Sequence, residues 1–196
     1  MGDRCGWVGL EQIYIDYHDT EWGMPEYDSR ALWEKLILDG FQAGLSWITI
    51  LKKRDNFREA FQGFDPNVIA EWGEADVERL LANPGIIRHR GKIEATIGNA
   101  RAWQEIEARE GFAHFLWKYV DFEPPQNRFK TLTEVPAYTE LSTQISKDLK
   151  KAGFRFCGPT IVYAFMQAMG MVNDHLLDCP CRAACASAAQ KKGWQL

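Results

Sequence analysis

The stretch Asp39-Gly-Phe-Gln-Ala-Gly-Leu-Ser-Trp47 lies between two segments whose apolar residues recur at helical spacing. A turn between two helices needs a glycine to end the first helix and a polar cap to begin the second, and Gly40 and Ser46 can fill these places. The stretch also contains the carboxylate of Asp39, the amide of Gln42 and the indole of Trp47, none of which is needed to connect two helices. Two interpretations follow: a helical hairpin with a buried tryptophan, or a ligand site with an acid and an aromatic wall for a flat polar molecule, with Leu45 held out on a tight turn.

Composition sets the limits within which these interpretations must fit. The chain has 196 residues, of which 46% are hydrophobic and 26% charged, so it is expected to be globular, with one domain or two small ones. It has no apolar run of membrane-spanning length and no basic-then-apolar start, which predicts a cytoplasmic protein without a membrane partner. A net charge of −4 argues against strong non-specific binding of nucleic acid but leaves a local basic face open.

Helical periodicity recurs along most of the chain. Asp28 or Ser29 can cap a helix that ends near Asp39, and further helical patterns follow, the last of them after Pro159. Residues 121–136 contain three prolines and read as a loop. No pair of segments shows strand-turn-strand alternation, so the sequence predicts an all-α fold, and the tail from Ala183 is expected to fray.

Cysteine and histidine residues gather near the two ends of the chain. They are Cys5, His18, His175, Cys179, Cys181 and Cys185. An odd number of cysteines, five, without a secretion signal argues against a disulfide framework and for thiols or metal ligands. The spacing of His175 and Cys179 places two ligands one helical turn apart, which suits zinc, but isolated cysteines and histidines also occur as packing residues. The residues alone leave both readings open.

A second candidate site lies in residues 147–160, where a helix, a glycine-bounded turn and another helix follow one another. Backbone N–H groups of such a turn, at the start of the next helix, can bind a phosphate. Lys150, Lys151 and Arg155 would add positive charge. The alternative is an ordinary turn between helices with solvated lysines.

Several motifs taken together are far more specific than any one of them. They are Arg4-Cys5-Gly6-Trp7, residues 14–25 with Tyr14, Tyr17, His18 and Trp22, residues 42–49 (Gln-Ala-Gly-Leu-Ser-Trp-Ile-Thr), residues 86–93 (Ile-Ile-Arg-His-Arg-Gly-Lys-Ile) and Asn173-Asp174-His175. Over roughly residues 4–180 the chain strongly resembles the bacterial DNA-3-methyladenine glycosylase I (Tag) family of the helix-hairpin-helix glycosylase superfamily.

The resemblance implies a fold, a metal and an activity. The fold would be the all-α helix-hairpin-helix glycosylase fold, a single unit over residues 1–196. One structural zinc ion would join the two chain ends through Cys5, His18, His175 and Cys179. The activity would be hydrolysis of the N-glycosidic bond of 3-methyladenine in double-stranded alkylated DNA, by a monomer.

The resemblance also assigns roles to individual residues. The base pocket would be formed by Tyr14, Tyr17, Trp22, Asp39 and Trp47, with Asp39 and Tyr17 as the catalytic pair. Leu45, helped by Gln42 and Gly44, would fill the gap left by the extruded nucleotide. The backbone at Gly158, with Lys150 and Arg155, would hold the DNA phosphates.

Two departures from the family pattern affect these roles. Members commonly carry glutamate where this chain has Asp39, and Asn173 stands where the wider superfamily has a catalytic aspartate. Asp174 is therefore expected to orient its neighbour His175 rather than to act on substrate. No lysine occupies positions 159–160, where the lyase branch has one, so the enzyme is expected to be monofunctional and to leave an abasic site. The competing functions are a non-enzymatic zinc-stapled module that binds damaged DNA and a glycosylase with a broader range of alkylated bases.

Overall fold

Every regular element of the described chain is helical, which confirms the all-α prediction. The computed structural model describes residues 3–191, and within them the only strand-like pairing is an isolated bridge between Gln126 and Asn173. The α-helices are α1 (Gln12–Thr20), α2 (Ser29–Gln42), α3 (Trp47–Leu51), α4 (Arg54–Ala60), α5 (Pro66–Ile69), α6 (Glu74–Leu81), α7 (Arg90–Glu110), α8 (Phe112–Trp117), α9 (Glu140–Lys151), α10 (Pro159–Ala168) and α11 (Cys181–Lys191). Short 3₁₀ turns occur at Gln62–Phe64, Lys118–Val120 and Leu132–Glu134.

Helix α2 lies at the centre of the fold. Asp28 begins it as predicted, because its side chain accepts a hydrogen bond of 2.8 Å from the Ala31 amide and so satisfies one of the free N–H groups of the first turn. The helix packs against α3, α7, α8 and α10, and its large side chains, such as Trp33 and Phe41, are buried. The polar residues near its C-terminal end are thereby fixed against a rigid core.

The turn after α2 uses Gly44 rather than the predicted Gly40. Gly40 was expected to end the helix, but α2 continues to Gln42, and Gly40 lies within it against a neighbouring segment. A Cβ atom at Gly40 would lie 3.2 Å from the Phe156 carbonyl oxygen, so the glycine permits close packing there. The turn uses Gly44, whose φ of +83° belongs to the left-handed region that glycine adopts at little cost.

The helical hairpin predicted around residues 147–160 is present. Thr139 and Ser142 cap the start of α9 reciprocally, with backbone-to-side-chain distances of 3.1 and 2.9 Å. Gly153, with φ +104°, allows the chain to leave α9, and Pro159 opens α10. Helix α10 packs against both α9 and α2, which brings this second turn close to the first.

The tail from Ala183, which the sequence predicts to fray, is helical over its described part, and its fraying stays a prediction. Residues Cys181–Lys191 form α11, because Cys185 anchors it: this side chain is 3% exposed, and its Sγ lies 3.7 Å from the Met24 Sδ. Residues 192–196 lie outside the described part. Among helices of residues 3–191, none is at once long enough and apolar enough to cross a bilayer.

Candidate functional site

A cavity of about 280 Å³ opens beside the C-terminal half of α2. The five residues predicted to form the base pocket, Tyr14, Tyr17, Trp22, Asp39 and Trp47, all line it. Lys35, Gln42, Leu132, Gln167 and Asp174 are among the other lining residues. The cavity thus joins side chains from α1, α2, α3 and α10 with residues from the connections between helices.

The carboxylate in the cavity, Asp39, is paired with a lysine, Lys35, that the sequence analysis did not identify. Asp39 is fully buried, and its Oδ1 forms an ion pair with the ammonium of Lys35, one helical turn earlier on α2. Because burial disfavours charged forms, the pKa of Asp39 is raised and the pKa of Lys35 is lowered, while their mutual attraction opposes both shifts. Burial, followed by the nearby Asp39 charge, raises the pKa of Tyr17 well above its usual value, so this phenol keeps its proton.

Aromatic rings form the walls around that carboxylate. The Tyr17 and Trp47 ring centroids are 5.4 Å apart with 46° between the ring planes. Two buried polar atoms here, Asp39 Oδ2 and Trp47 Nε1, have no hydrogen-bond partner among the described residues. Since buried polar groups are normally paired, an unpaired acceptor and an unpaired donor on two residues that line one cavity are suited to a polar ligand.

Asp174 lies in the cavity wall and does not orient His175, so that prediction is wrong. Its carboxylate accepts three hydrogen bonds of 2.6 to 2.8 Å, from Tyr163, Gln167 and Asn127. These three donors hold the side chain away from the imidazole, whose Nε2 lies 3.0 Å from the Trp22 carbonyl oxygen instead. Asn173, at the position of the superfamily aspartate, is buried and donates to the Gln126 side chain at 2.8 Å.

The structure brings together the four predicted metal ligands. Cys5, His18, His175 and Cys179 are all buried, and one donor atom from each lies within 4.8 Å of the others. Cys179 Sγ is 3.3 Å from His175 Nδ1 and 3.5 Å from His18 Nε2, and Cys5 Sγ is 3.6 Å from His175 Nδ1. This buried cluster could bind a metal ion.

The second nitrogen of each imidazole is held by its surroundings. His18 Nδ1 lies 2.8 Å from Asp19 Oδ1, and His175 Nε2 faces the Trp22 carbonyl oxygen. Such contacts fix the ring orientation of metal-binding histidines. Cys181 approaches His18 only from the Nδ1 side, at 3.8 Å, where it forms a second possible group with Asp19 and that histidine. Of the C-terminal cysteines, Cys179 therefore completes the four-residue cluster.

Trp22 connects the buried cluster to the cavity. Its ring centroid is 4.6 Å from that of His175 and 6.0 Å from that of His18. The same side chain lines the cavity. The geometry of the cluster and the shape of the cavity wall are therefore linked through one indole.

The residues predicted to contact DNA lie on two neighbouring turns. Gln42 lines the cavity, and Gly44 and Leu45 form the exposed tip of the first turn, where Leu45 is 43% exposed. On the second turn Lys150 and Arg155 are exposed, and Gly158 is the N-cap of α10. The Asn99 side chain accepts from the Arg155 amide at 2.8 Å and so fixes this turn to α7.

Lys92 holds the first turn in place. Its Nζ, mostly buried, donates to the carbonyl oxygens of Phe41 and Ala43 at 2.8 and 2.7 Å. These carbonyls belong to the last turn of α2, where positive charge is favourable. Burial lowers the pKa of Lys92. The exposed Leu45 is thus carried on a turn that the core holds rigid.

Lys35, Gln167, Leu132 and Val135 are cavity residues that the sequence did not reveal. For Lys35 a signal existed, because its position four residues before Asp39 places both side chains on one face of a helix. Leu132 and Val135 lie in the segment that was read only as a loop, and no local pattern indicated their contact with the cavity.

Comparison with known proteins agrees with this geometry and with the resemblance seen in the motifs. The family model for methyladenine glycosylase matches residues 7–183. DNA-3-methyladenine glycosylase 1 of Escherichia coli (strain K12) is 54% identical over 180 residues, covering 91% of this chain and 96% of that protein. A crystal structure of 3-methyladenine DNA glycosylase I superposes with a TM-score of 0.90 at 56% identity, over 91% of this chain and 99% of that one.

A further solved structure contains the free base. It is a tyrosine-to-phenylalanine variant of 3-methyladenine DNA glycosylase I in complex with 3-methyladenine, with a TM-score of 0.88 and 40% identity over 91% of this chain and 96% of that one. The similarity therefore extends through the whole arrangement of helices that surrounds the cavity. On these grounds the chain belongs to the methyladenine glycosylase family.

Proposed function

We propose that this chain hydrolyses the N-glycosidic bond of 3-methyladenine in alkylated double-stranded DNA and thereby begins base-excision repair. Family membership and the activities named for its relatives support this proposal. Within the chain, the observation that carries it is the cavity in which aromatic rings surround a buried carboxylate, Asp39, whose Oδ2 is unpaired among the described residues. A volume of about 280 Å³ lies near the lower end of ligand sites, about 300–1,000 Å³, and suits a single extruded base.

The substrate explains why few catalytic groups are needed. Methylation at N3 makes the base cationic, so the electron pair of the N9–C1′ bond moves into the ring and the base departs neutral, while water adds at C1′ and gives up one proton to the solvent. The protein must mainly extract the base from the stack and hold it, as base-flipping enzymes do. The rings of Tyr17 and Trp47 offer flat apolar faces against which an extruded purine can stack.

Asp39 supplies the selectivity in this proposal. Its Oδ2 would accept a hydrogen bond from the donor edge of the adenine ring, and a base without that donor would leave a buried acceptor unpaired. Aspartate is one methylene shorter than the glutamate common in the family, so the base must lie closer to α2 or a water must bridge. Tyr17, kept protonated by burial, would act as a neutral wall and hydrogen-bond donor beside it.

The two neighbouring turns would engage the duplex. We propose that Leu45 enters the space left by the flipped nucleotide, with Gln42 and Gly44 beside it, since its side chain is exposed on a rigid turn. Helices α9 and α10 with their turn would form the helix-hairpin-helix element. The N-terminus of α10 at Gly158, with the exposed Lys150 and Arg155, would hold a phosphate in a protein whose net charge is −4.

The buried Cys and His cluster is proposed to hold one structural zinc ion. Zinc bonds of about 2.3 Å to sulfur and about 2.0–2.1 Å to nitrogen at tetrahedral angles place S and N about 3.6 Å apart. The measured S···N distances of 3.3, 3.5 and 3.6 Å fit this requirement. When bound, zinc supplies a closed four-ligand crosslink between the chain ends and no reacting species. We also propose that the enzyme is a cytoplasmic monomer and monofunctional, because positions 159–160 carry proline and threonine.

Product analysis tests the activity. Methylated duplex DNA treated with the pure protein should release 3-methyladenine and leave abasic sites in intact strands until alkali is added. The variant Asp39→Asn, assayed at 20 °C, should lose most of this release, while the matched control Asp148→Asn on α9 should keep it. DNA binding without release would favour the non-enzymatic module, release of several alkylated bases would favour the broader enzyme, and strand breaks without alkali would contradict monofunctional action.

Metal analysis tests the zinc proposal separately. The wild-type chain should contain about one zinc ion, as expected for a closed structural site. Cys179→Ser should lose it, and Cys181→Ser, the matched control two residues away, should retain it. Equal retention in both variants would remove Cys179 from the site.

A further inference from the structure

Lys35 places a positive charge inside the cavity that the proposed reaction does not use. The residue is 8% exposed, and its ammonium is paired with Asp39 Oδ1. The same Nζ lies 3.8 Å from the centroid of the Trp47 ring. One lysine therefore engages both a carboxylate oxygen and an aromatic face, the two features that attract a cationic purine.

The other charges near this pair are balanced or fully hydrogen-bonded. Arg54, which is not among the residues that line the cavity, donates to Glu21 with an N···O distance of 2.8 Å. Asp174, the other carboxylate among the residues lining the cavity, already accepts its three hydrogen bonds from neutral side chains. Asp174 keeps its negative charge, because its three donors are neutral, whereas the charge of Asp39 is offset by Lys35 in an ion pair that is neutral as a whole.

We propose that Lys35 is a specificity-determining residue that neutralises Asp39, the carboxylate against which the base is held, so that selection there depends on the hydrogen-bonding edge and shape of the purine rather than on its positive charge. The inference rests on the proposed assignment of this cavity as the base site. The buried polar atoms left unpaired on the lining residues are one acceptor, Asp39 Oδ2, and one donor, Trp47 Nε1, and the Tyr17 hydroxyl and the ring faces lie beside them. The ligands expected from this arrangement are purines, neutral or cationic, whose edge carries a hydrogen-bond donor for Asp39 Oδ2.

Calorimetric titration with two ligands tests this. Neutral 3-methyladenine is compared with 3,9-dimethyladeninium, a permanent cation that stands for the base while still bonded to the sugar. Wild-type protein should bind the two with dissociation constants within about threefold of each other. Lys35→Gln, which keeps a donor for Asp39 and removes the charge, should shift the ratio about tenfold towards the cation, because an unneutralised carboxylate then faces the ligand. Lys35→Arg, the matched control that keeps the charge, should leave the ratio unchanged.

Each outcome bears on a separate claim. A ratio that is the same in Lys35→Gln and wild-type protein would overturn the inference. A wild-type preference for the cation above about tenfold would overturn it without any variant, which covers the case in which Lys35→Gln does not fold. If Trp47→Ala and Asp39→Asn change neither dissociation constant, the cavity is not the base site and the proposed site assignment fails. If both weaken binding while the ratio does not respond to Lys35→Gln, only the role of Lys35 is lost.

Discussion

Breaking the ion pair between Lys35 and Asp39 should destabilise the whole fold. Asp39 is 0% exposed and Lys35 8% exposed, so water would replace a lost partner only in part. Removing one member of a buried pair costs about 3–5 kcal/mol. We expect about 3 kcal/mol for Asp39→Asn, since the remaining ammonium can reach the cavity, and about 2 kcal/mol for Lys35→Met, since the remaining carboxyl group can protonate. The double variant should also lose only about 2 kcal/mol, which corresponds to a coupling energy of about 3 kcal/mol.

The wild type, the two single variants and the double variant form a double-mutant cycle. Urea denaturation and thermal unfolding of these four proteins, each loaded with metal, measure the free energies of unfolding. For a domain of this length, about 2–4 °C per kcal/mol predicts that Asp39→Asn melts about 6–12 °C lower. The exposed pair Lys52–Glu11 is the control, and its cycle should give a coupling energy below about 1 kcal/mol. Additive losses of about 5 kcal/mol in the double variant would show that the two groups do not interact in solution.

Three further changes have distinct readouts. Lys92→Met should lower the free energy of unfolding by about 1.5–3 kcal/mol in urea titrations, because two carbonyl oxygens at the end of α2 lose a charged donor. A loss below about 0.5 kcal/mol would show that Lys92 does not hold this turn in place. Leu45→Ala should change stability by less than about 0.5 kcal/mol but slow base release from duplex DNA more than from single strands; equal slowing on both would exclude a wedge. The Tyr119 hydroxyl, 2.7 Å from Asp148, helps to lower the pKa of that carboxyl after the larger contribution of Gln144. Tyr119→Phe should therefore destabilise the protein at neutral pH, with the difference vanishing as pH falls through the folded-state pKa of Asp148, whereas a pH-independent difference would assign the effect to packing.

The sequence alone was sufficient to predict where a helix begins when that helix has a capping residue and regularly spaced apolar residues. Asp28 begins α2 because an aspartate in extended conformation satisfies a free amide, and that rule needs no tertiary information. Pro159 opens α10 for an equally local reason. Gly40 misled the prediction because its role is decided by Phe156, which lies more than a hundred positions away and requires a residue without a Cβ atom.

The cavity depended on contacts that local patterns do not encode. The resemblance named Tyr17, Trp47 and Asp39 as neighbours, and the structure places them around one cavity. It did not name Lys35, whose ammonium is buried only because α2 turns it towards Asp39 and away from water. Nor could sequence tell that three donors hold Asp174 in the cavity wall, since two of them lie on α10 and the third, Asn127, lies on a distant loop.

The closeness of Cys5 to His175, 170 positions later, has a consequence for biosynthesis. Trp22 is translated 153 residues before His175, whose ring it packs against. Until the His175 segment has left the ribosome and folded back, the cavity wall at Trp22 is incomplete and cannot hold an extruded base. Competence for excision therefore depends on the return of this segment to Trp22, and not on the early translation of the aromatic residues themselves.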